Sequence, residues 1–472
     1  MFRLTTLLTL LLAIGLVTAF AIPAPDKLSW STEESAQTDP SVNGNSSERR
    51  TENTGFITSV NESLQSKVFA QRKMKSNNLR WIIRGIVSEL YHNIFLRQFY
   101  SIRGINKQNS NEKERTSRQH PKNEIAIVTG ATGGIGSCIA HELADKGYDV
   151  VVAARDAIRG RKLVEEIRER LAKTPVCRSN VSDDSTSLPI ISFVEYHADD
   201  PRSALDVALF VEKLIQPGTN VDRRLTVLIN NAGIMGRSKQ LTMTVNLIGP
   251  ALLTLALLPM MNGASRASNE NSNDDSYCGQ RATVINVGSS AHLRATHVID
   301  EEISLGENES YIRALPSVDD KDLSTYAQSK LALMQFSTLL RQSLFKNSIP
   351  IQIYDAHPGL VWTPLLRNHI GCKATNFLHR TGLAKLIYKT PEEGAQAIVG
   401  ALDFSLRPSP GGQQPQTYFV NGQPGGYATP ESQDHLAAME LWRRVIASEI
   451  SGVVNLPDEY ALYLESSPLS KK

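Results

Sequence analysis

Six short runs, EIAIVTG, YDVVVAA, SFVEYHA, LTVLIN, ATVINV and IQIYDAH, are apolar at nearly every position and rich in Val and Ile. A strand that is apolar on both faces must be covered on both, which selects a sheet enclosed by helices over one that turns a polar side to water. The stretches between the runs supply those helices: SCIAHELADKG repeats Ile139 and Leu143 four residues apart, and RKLVEEIRERLAK carries a similar stripe. Strand and helix in alternation need crossover connections, so Asn123 to Ile450 is expected to form one α/β domain around a doubly wound parallel sheet. Polar inserts at Thr174–Pro189 and Asn262–Gln280 read as surface loops, and a third, Arg294–Leu323, as a candidate lid.

The run IAIVTGATGGIG, Ile125 to Gly136, places its glycines at the turn from the first strand into the first helix, the context that gives such a run meaning. Gly130 suits a tight turn, Gly134 lets backbone approach a pyrophosphate, and Gly136 lets the helix pack closely on the sheet. Backbone N–H groups and the positive end of the helix dipole then face the anion. This is the arrangement of a Rossmann-type dinucleotide site, with the spacing Thr129-Gly130-x-x-x-Gly134-x-Gly136 in place of the commoner G-x-G-x-x-G. About twenty residues further on, an NAD site carries an acid for the ribose hydroxyls. Here VVVAARD puts Ala154 and Arg155 at that strand end: the small side chain leaves room for a 2′-phosphate and the guanidinium can grip it in bidentate fashion. NADP(H) is therefore the expected cofactor. Arg159 reads as a solvated helix charge or a second phosphate contact, and Asp156 works against the phosphate.

Charge and cysteine usage exclude other classes. Lys+Arg 50 against Asp+Glu 48 is no footprint for nucleic acid. Cys138, Cys177, Cys278 and Cys372 lie far apart with no CxxC spacing, so neither a metal site nor a disulfide framework is expected. The chain ahead of the glycine run reads as an address. Leu4 to Val17 is apolar and Val17-Thr18-Ala19 offers a cleavage site, giving a signal peptide over 1–19, with an uncleaved anchor as the alternative. Residues 20–66 have the composition of a disordered or transit-type linker, and 451–472 form a tail. Between them and the domain starting at 122, segment 67–121 is basic, and RWIIRGIVSELYHNIFLRQFY within it has helical apolar spacing. The stretch Arg80–Tyr100 is thus a candidate peripheral membrane contact, or a helix packed on the domain.

In YAQSKLAL, Tyr326 and Lys330 stand four apart on one helix face, so the ammonium is expected beside the phenol, lowering its pKa from about 10 and making Tyr326 a general acid or base. VINVGSSAH ends a strand in hydroxyls that can hydrogen-bond a substrate oxygen as charge develops on it. Together with NNAG at Asn230–Gly233, VNLIGPALLT around Asn246, HPGLVWT after the sixth strand and TPEEGAQ beyond it, these motifs stand in an order that resembles the short-chain dehydrogenases/reductases, and among them the retinol-dehydrogenase-like branch, across nearly all of Asn123–Ile450.

The resemblance implies a catalytic set of Asn246, Ser289, Tyr326 and Lys330. Gly288-Ser289-Ser290 departs from the usual Ser-Ser, which leaves Ser290 as a second candidate. It implies cofactor contacts from Gly130, Gly134, Ile135, Gly136, Arg155, Asn231, Ala232, Gly233, Tyr326, Lys330, Pro358, Gly359 and Thr363, with Asp199 at the adenine and Asp200 as the alternative. Asn230 would support the central strands. The implied reaction is hydride transfer between NADP(H) and a small lipophilic alcohol or carbonyl, with Leu360, Trp362 and Leu365 as pocket candidates. Homodimers are common among such relatives. A membrane-associated NADPH sensor is the rival reading, and FAIPAP after the cleavage site resembles a plastid-targeting junction, so the expected destination is plastid or ER.

Overall fold

All six expected strands form: β1 (Glu124–Thr129), β2 (Asp149–Ala154), β3 (Ile191–Glu195), β4 (Arg224–Asn230), β5 (Ala282–Val287) and β6 (Ile351–His357). The computed structural model describes residues 123–453, apart from 174–187, 217–221, 271–280, 296, 300–309, 320–323, 371–375, 377–379, 383, 385–387, 407–415, 426–427 and 451–452. The expected leader, linker and basic segment, Arg80–Tyr100 included, lie outside these residues, as do Cys177, Cys278 and Cys372.

The sheet runs in the order β3-β2-β1-β4-β5-β6, every neighbouring pair parallel. Its two faces follow from the two-residue period of a strand. Ile125, Ile127, Val151, Ala153, Leu225 and Val284 enter one core, while the interleaved Ala126, Val128, Val150, Val152, Val227 and Ile285 enter the other. Strand order reverses between β1 and β4, and a doubly wound sheet offers its ligand crevice at the carboxyl ends there.

On one face lie α1 (Ile135–Asp145), α2 (Ala157–Lys173) and α9 (Pro391–Ser405), α9 opening on a capping box in which Thr390 and Glu393 satisfy each other's backbone N–H. On the other lie α3 (Pro201–Ile215), the long helix that begins as α4 (Lys239–Met243) and continues as α5 (Gly249–Glu270), and α7 (Ser324–Lys346). Among the described residues, Lys239–Ser265 is the one stretch long and apolar enough to cross a bilayer. Its most apolar part is buried inside the fold, as in a core helix.

Three features depart from expectation. Beyond β6 the sheet adds β7 (Tyr418–Val420), parallel, and β8 (Gln423–Pro424), antiparallel, so it is not purely parallel. Strands of three and two residues are too short to show a period, and Phe419 is anchored by edge-on rings, Tyr354 at 5.3 Å and Phe404 at 5.2 Å. The insert expected to be a loop from Asn262 is helical through Glu270, and Ser265 Oγ, buried, accepts the Ala282 N–H at the head of β5. The candidate lid is anchored at α6 (Tyr311–Ala314), which buries Tyr311 and Ile312 in the same core as Trp442, Val445 and Ile446 from the last described helical turns, and by a β-bridge from Asp319 to Ser238, while Pro316–Asp319 stay exposed.

Candidate active site

The turn after β1 is built for close approach of an anion. Gly130 and Gly134 hold φ of 61° and 56°, a region that penalises any side chain, and a Cβ on Gly136 would stand 2.5 Å from both Asn231 Nδ2 and Gly130 O. The second strand end locks onto this turn through Thr129, whose Oγ1 accepts the backbone N–H of Asn231 and of Ala232, each at 3.0 Å. Asn231 Nδ2 donates to Thr129 O at 2.9 Å, so its side chain holds β1 to the Asn-Ala-Gly turn after β4. Thr363 completes the rim, its Cγ2 3.5 Å from where a Gly134 Cβ would be. The glycine turn and HPGLVWT, more than 200 residues apart in the sequence, are thus adjacent. Pro358-Gly359 is held from behind by buried Lys389, whose Nζ donates to Pro358 O at 3.3 Å and to Asn421 Oδ1.

At the β2 end, Ala154 is buried and Arg155 is exposed with no ion pair among the described residues. Asp156 is otherwise engaged: its Oδ1 accepts the Arg159 N–H at 3.0 Å and its Oδ2 the Arg159 Nε–H at 2.6 Å. Those bonds hold its carboxyl below the usual carboxylate range. At the β3 end, Asp200 caps α3, accepting the Arg202 N–H at 3.0 Å, while Asp199 stays exposed and makes no such cap.

The catalytic candidates converge at the ends of β5 and α7. Ser289 caps a 3-10 turn, Ser290–Arg294, and its Oγ accepts the Ala291 N–H at 3.2 Å, leaving its O–H for a partner on the open side. The Ser289 hydroxyl lies on the Tyr326 phenol's side of the site and pulls its pKa down against burial, which raises it. Lys330, 5% exposed, donates from Nζ to Val287 O at 2.9 Å, and Nζ lies 5.9 Å from the Tyr326 ring centroid. Burial lowers the Lys330 pKa to about 8.

The expected lowering of the Tyr326 pKa is not what the fold produces: burial raises it, and the opposing pull comes from the Ser289 hydroxyl. Lys330 spends its ammonium on a carbonyl of β5 and is itself desolvated, so its charge does not dominate at the phenol.

Asn246 sits in a π turn, Thr244–Ile248, that widens the helix between α4 and α5, a distortion common at functional sites. Fully buried, it accepts the Ile234 N–H at 2.8 Å and donates to Ile234 O at 2.9 Å and Ser329 Oγ at 3.0 Å. Ser329 in turn donates to Tyr326 O at 2.8 Å, which joins Asn246 to the helix carrying Tyr326 and Lys330. A Cβ on Gly233 would stand 3.3 Å from Asn246 Oδ1 and 3.6 Å from Lys330 Nζ, so the Asn-Ala-Gly turn adjoins both. Beneath the site, Asn230, Asn286 and Asp355 stand abreast on β4, β5 and β6. Asn230 Nδ2 donates to Asn286 Oδ1 at 2.8 Å, Asn286 Nδ2 to Ser337 Oγ at 2.8 Å and Ser337 Oγ to Asp355 Oδ1 at 2.7 Å, tying the strands to α7. Sequence reasoning gave Asn230 its strand-supporting role but missed Ser329, Lys389, Asn286, Ser337 and Asp355. The buried His292 ring donates from Nδ1 to Ser289 O at 2.6 Å and stands edge-on to Tyr418 at 5.6 Å.

With this geometry in place, likeness to known proteins decides the family. The family model for short chain dehydrogenases matches residues 124–198. The polyprenol dehydrogenase of Mus musculus is 34% identical over 287 residues, covering 59% of this chain and 70% of that protein. The chain belongs to the short-chain dehydrogenase/reductase family. Retinol dehydrogenase 12 of Homo sapiens is 27% identical over 347 residues, 72% of this chain and 89% of that one, and this short-chain dehydrogenase/reductase groups with the retinol-dehydrogenase-like branch. Among solved structures, the Pseudomonas aeruginosa RhlG/NADP active-site complex aligns with 64% of this chain and 95% of its own at 21% identity and a TM-score of 0.42.

Proposed function

We propose that this short-chain dehydrogenase/reductase uses NADP(H) to interconvert a lipophilic alcohol and its carbonyl, and that the site as built favours reduction. The observation that carries the reading is the convergence of Ser289 at the end of β5 with Tyr326 and buried Lys330 on α7, Lys330 Nζ lying beside the Asn-Ala-Gly turn and 5.9 Å from the Tyr326 ring. The residues present fit a phosphorylated dinucleotide: glycines at positive φ leave a cradle that a Cβ would fill, Ala154 stands where an acid would otherwise be, and Arg155 beside it makes no ion pair among the described residues. Arg155 would hold the 2′-phosphate, Asp199 would border the adenine, Gly130, Gly134, Ile135 and Gly136 would face the pyrophosphate, and Asn231–Gly233, Pro358, Gly359 and Thr363 would flank the nicotinamide half. When bound, the cofactor supplies or takes up a hydride.

The chain's own residues then handle the proton and the oxygen. Ser289 directs its O–H at a substrate carbonyl oxygen and polarises it. Tyr326, its pKa raised by burial, holds its proton at neutral pH and donates it to the developing alkoxide. Lys330 is largely protonated below pH 8 and steadies the charge left on the phenol, with Asn246 fixing the helix that carries both. Leu360 and Trp362 on the loop after β6, and Leu365 in α8 (Pro364–Ile370), are each partly exposed, and Trp362 leans on Tyr388 with ring centroids 5.0 Å apart, which suits an apolar substrate. The names of the polyprenol and retinol dehydrogenase relatives accord with that class.

The test is Tyr326→Phe in the full chain, assayed by NADPH oxidation with apolar aldehydes and ketones alongside NADPH titration. Turnover should fall by at least about 1,000-fold while NADPH binding changes by less than about threefold. Undiminished turnover refutes the mechanism. Tight NADPH binding by wild type with no turnover of any carbonyl would support the sensor reading instead.

A further inference from the structure

We infer that Arg159 is a specificity-determining residue for NADPH over NADH, acting by neutralising Asp156 and not by holding the phosphate itself. The inference rests on the reading of Arg155 as the 2′-phosphate contact. Asp156 follows Arg155 directly, so their Cα atoms are about 3.8 Å apart and an uncompensated carboxylate there would act on both the Arg155 guanidinium and the anion it holds from about a Debye length or less. One negative charge in that place opposes the phosphate and competes for its partner.

The fold removes the conflict locally. Asp156 is the residue before α2, and both its oxygens are occupied by Arg159, Oδ1 by the backbone N–H at 3.0 Å and Oδ2 by Nε at 2.6 Å. Its backbone oxygen accepts the Gly160 N–H at 2.8 Å, which fixes the first turn. That turn packs closely on the sheet: a Cβ on Gly160 would lie 2.1 Å from the Phe193 ring on β3, so α2 is seated at this glycine with Arg159 against Asp156. Arg155, one residue earlier, is left exposed with no ion pair among the described residues. An ion pair this exposed contributes little to folding. Its consequence is electrostatic, turning a site with one cation and one anion into a site with one available cation.

The experiment measures dissociation constants of NADPH and NADH by fluorescence titration on the full chain, for wild type, Arg159→Gln, Asp156→Asn and the double variant. Asparagine keeps the capping oxygen, so Asp156→Asn removes charge without removing the helix cap. Arg159→Gln should weaken NADPH about fivefold or more at low salt and NADH by less than about twofold, the loss shrinking as salt is raised. Asp156→Asn should tighten NADPH, and the double variant should return the NADPH/NADH ratio to that of wild type. If the double variant stays as weak as Arg159→Gln, Arg159 holds the phosphate directly and the inference is overturned. An unchanged ratio in Arg159→Gln overturns it too. If wild type has no preference for NADPH, or Arg155→Gln leaves the preference intact, the 2′-phosphate reading is what fails, and the inference falls with it.

Discussion

Glu124 opens β1 with a buried carboxyl, 4% exposed, beside Thr226 on β4, whose Oγ1 donates to Glu124 Oε2 at 3.1 Å. Burial raises its pKa from 4.5 to about 7, against weaker lowering by the Thr226 hydrogen bond and the charge of Arg224. The unfolded chain releases this proton near pH 4.5 and the folded chain near pH 7, so the folded state binds the extra proton in between. The stability this carboxyl contributes is therefore fully present below pH 4.5 and lost as pH rises through 7. The difference, 7 − 4.5, is about 2.5 pH units, or about 3 kcal/mol by pH 8 at 1.36 kcal/mol per unit. Glu124→Gln keeps an acceptor for Thr226 and removes the titration. Urea unfolding of the full chain, followed by far-UV circular dichroism, should show wild type and variant alike at pH 4.5 and the variant about 3 kcal/mol more stable at pH 8. A variant no more stable at pH 8, or one with an equal advantage at pH 4.5, would refute the claim that the carboxylate's burial is the cause.

Three other outcomes follow from the site. Gly136→Ala pushes a Cβ to 2.5 Å from Asn231 Nδ2 and Gly130 O, so it should cost about 2–4 kcal/mol in thermal or urea unfolding and abolish measurable NADPH binding by titration. Carbonyl reduction should hold level at neutral pH and decline above about pH 8, where Lys330 loses its proton, with kcat/KM against pH as the check. His292→Phe keeps a ring against Tyr418 but removes the donor to Ser289 O, so kcat should drop about tenfold or more with little change in NADPH affinity, and His292→Asn should recover part of it in steady-state assays.

The sheet was legible because its strands announce themselves: Ile125, Ile127 and their neighbours had to be apolar on both faces once helices covered both. The site was legible because its parts lie at strand ends and on one helix face, where short spacing predicts proximity, as for Tyr326 and Lys330. What stayed hidden was set by partners distant in sequence. That Asp200, one of the two adenine candidates, is taken up in capping α3 needed the Arg202 N–H in place. The helical run through Glu270 sits in polar sequence that resembles a loop, and β7 and β8 are too brief to carry a pattern. Lys389 reaches Pro358 across 31 residues, and no local signal marks it.

The sequence by itself determined the chemistry on offer: a glycine turn open to an anion, an alanine where an acid would select NAD with an arginine beside it, and a serine, a tyrosine and a lysine in a recognisable order. Those depend on residue type and short-range geometry, which the chain states directly. Only the tertiary structure decided how the groups are tuned. Whether Lys330 lowers the Tyr326 pKa depends on how much water each loses and which acceptor the ammonium meets, here Val287 O. Whether Asp156 opposes a phosphate depends on the seating of Arg159 beside it. Desolvation and pairing are properties of the packed surroundings, so charge on the page became charge in the site only once the chain had folded.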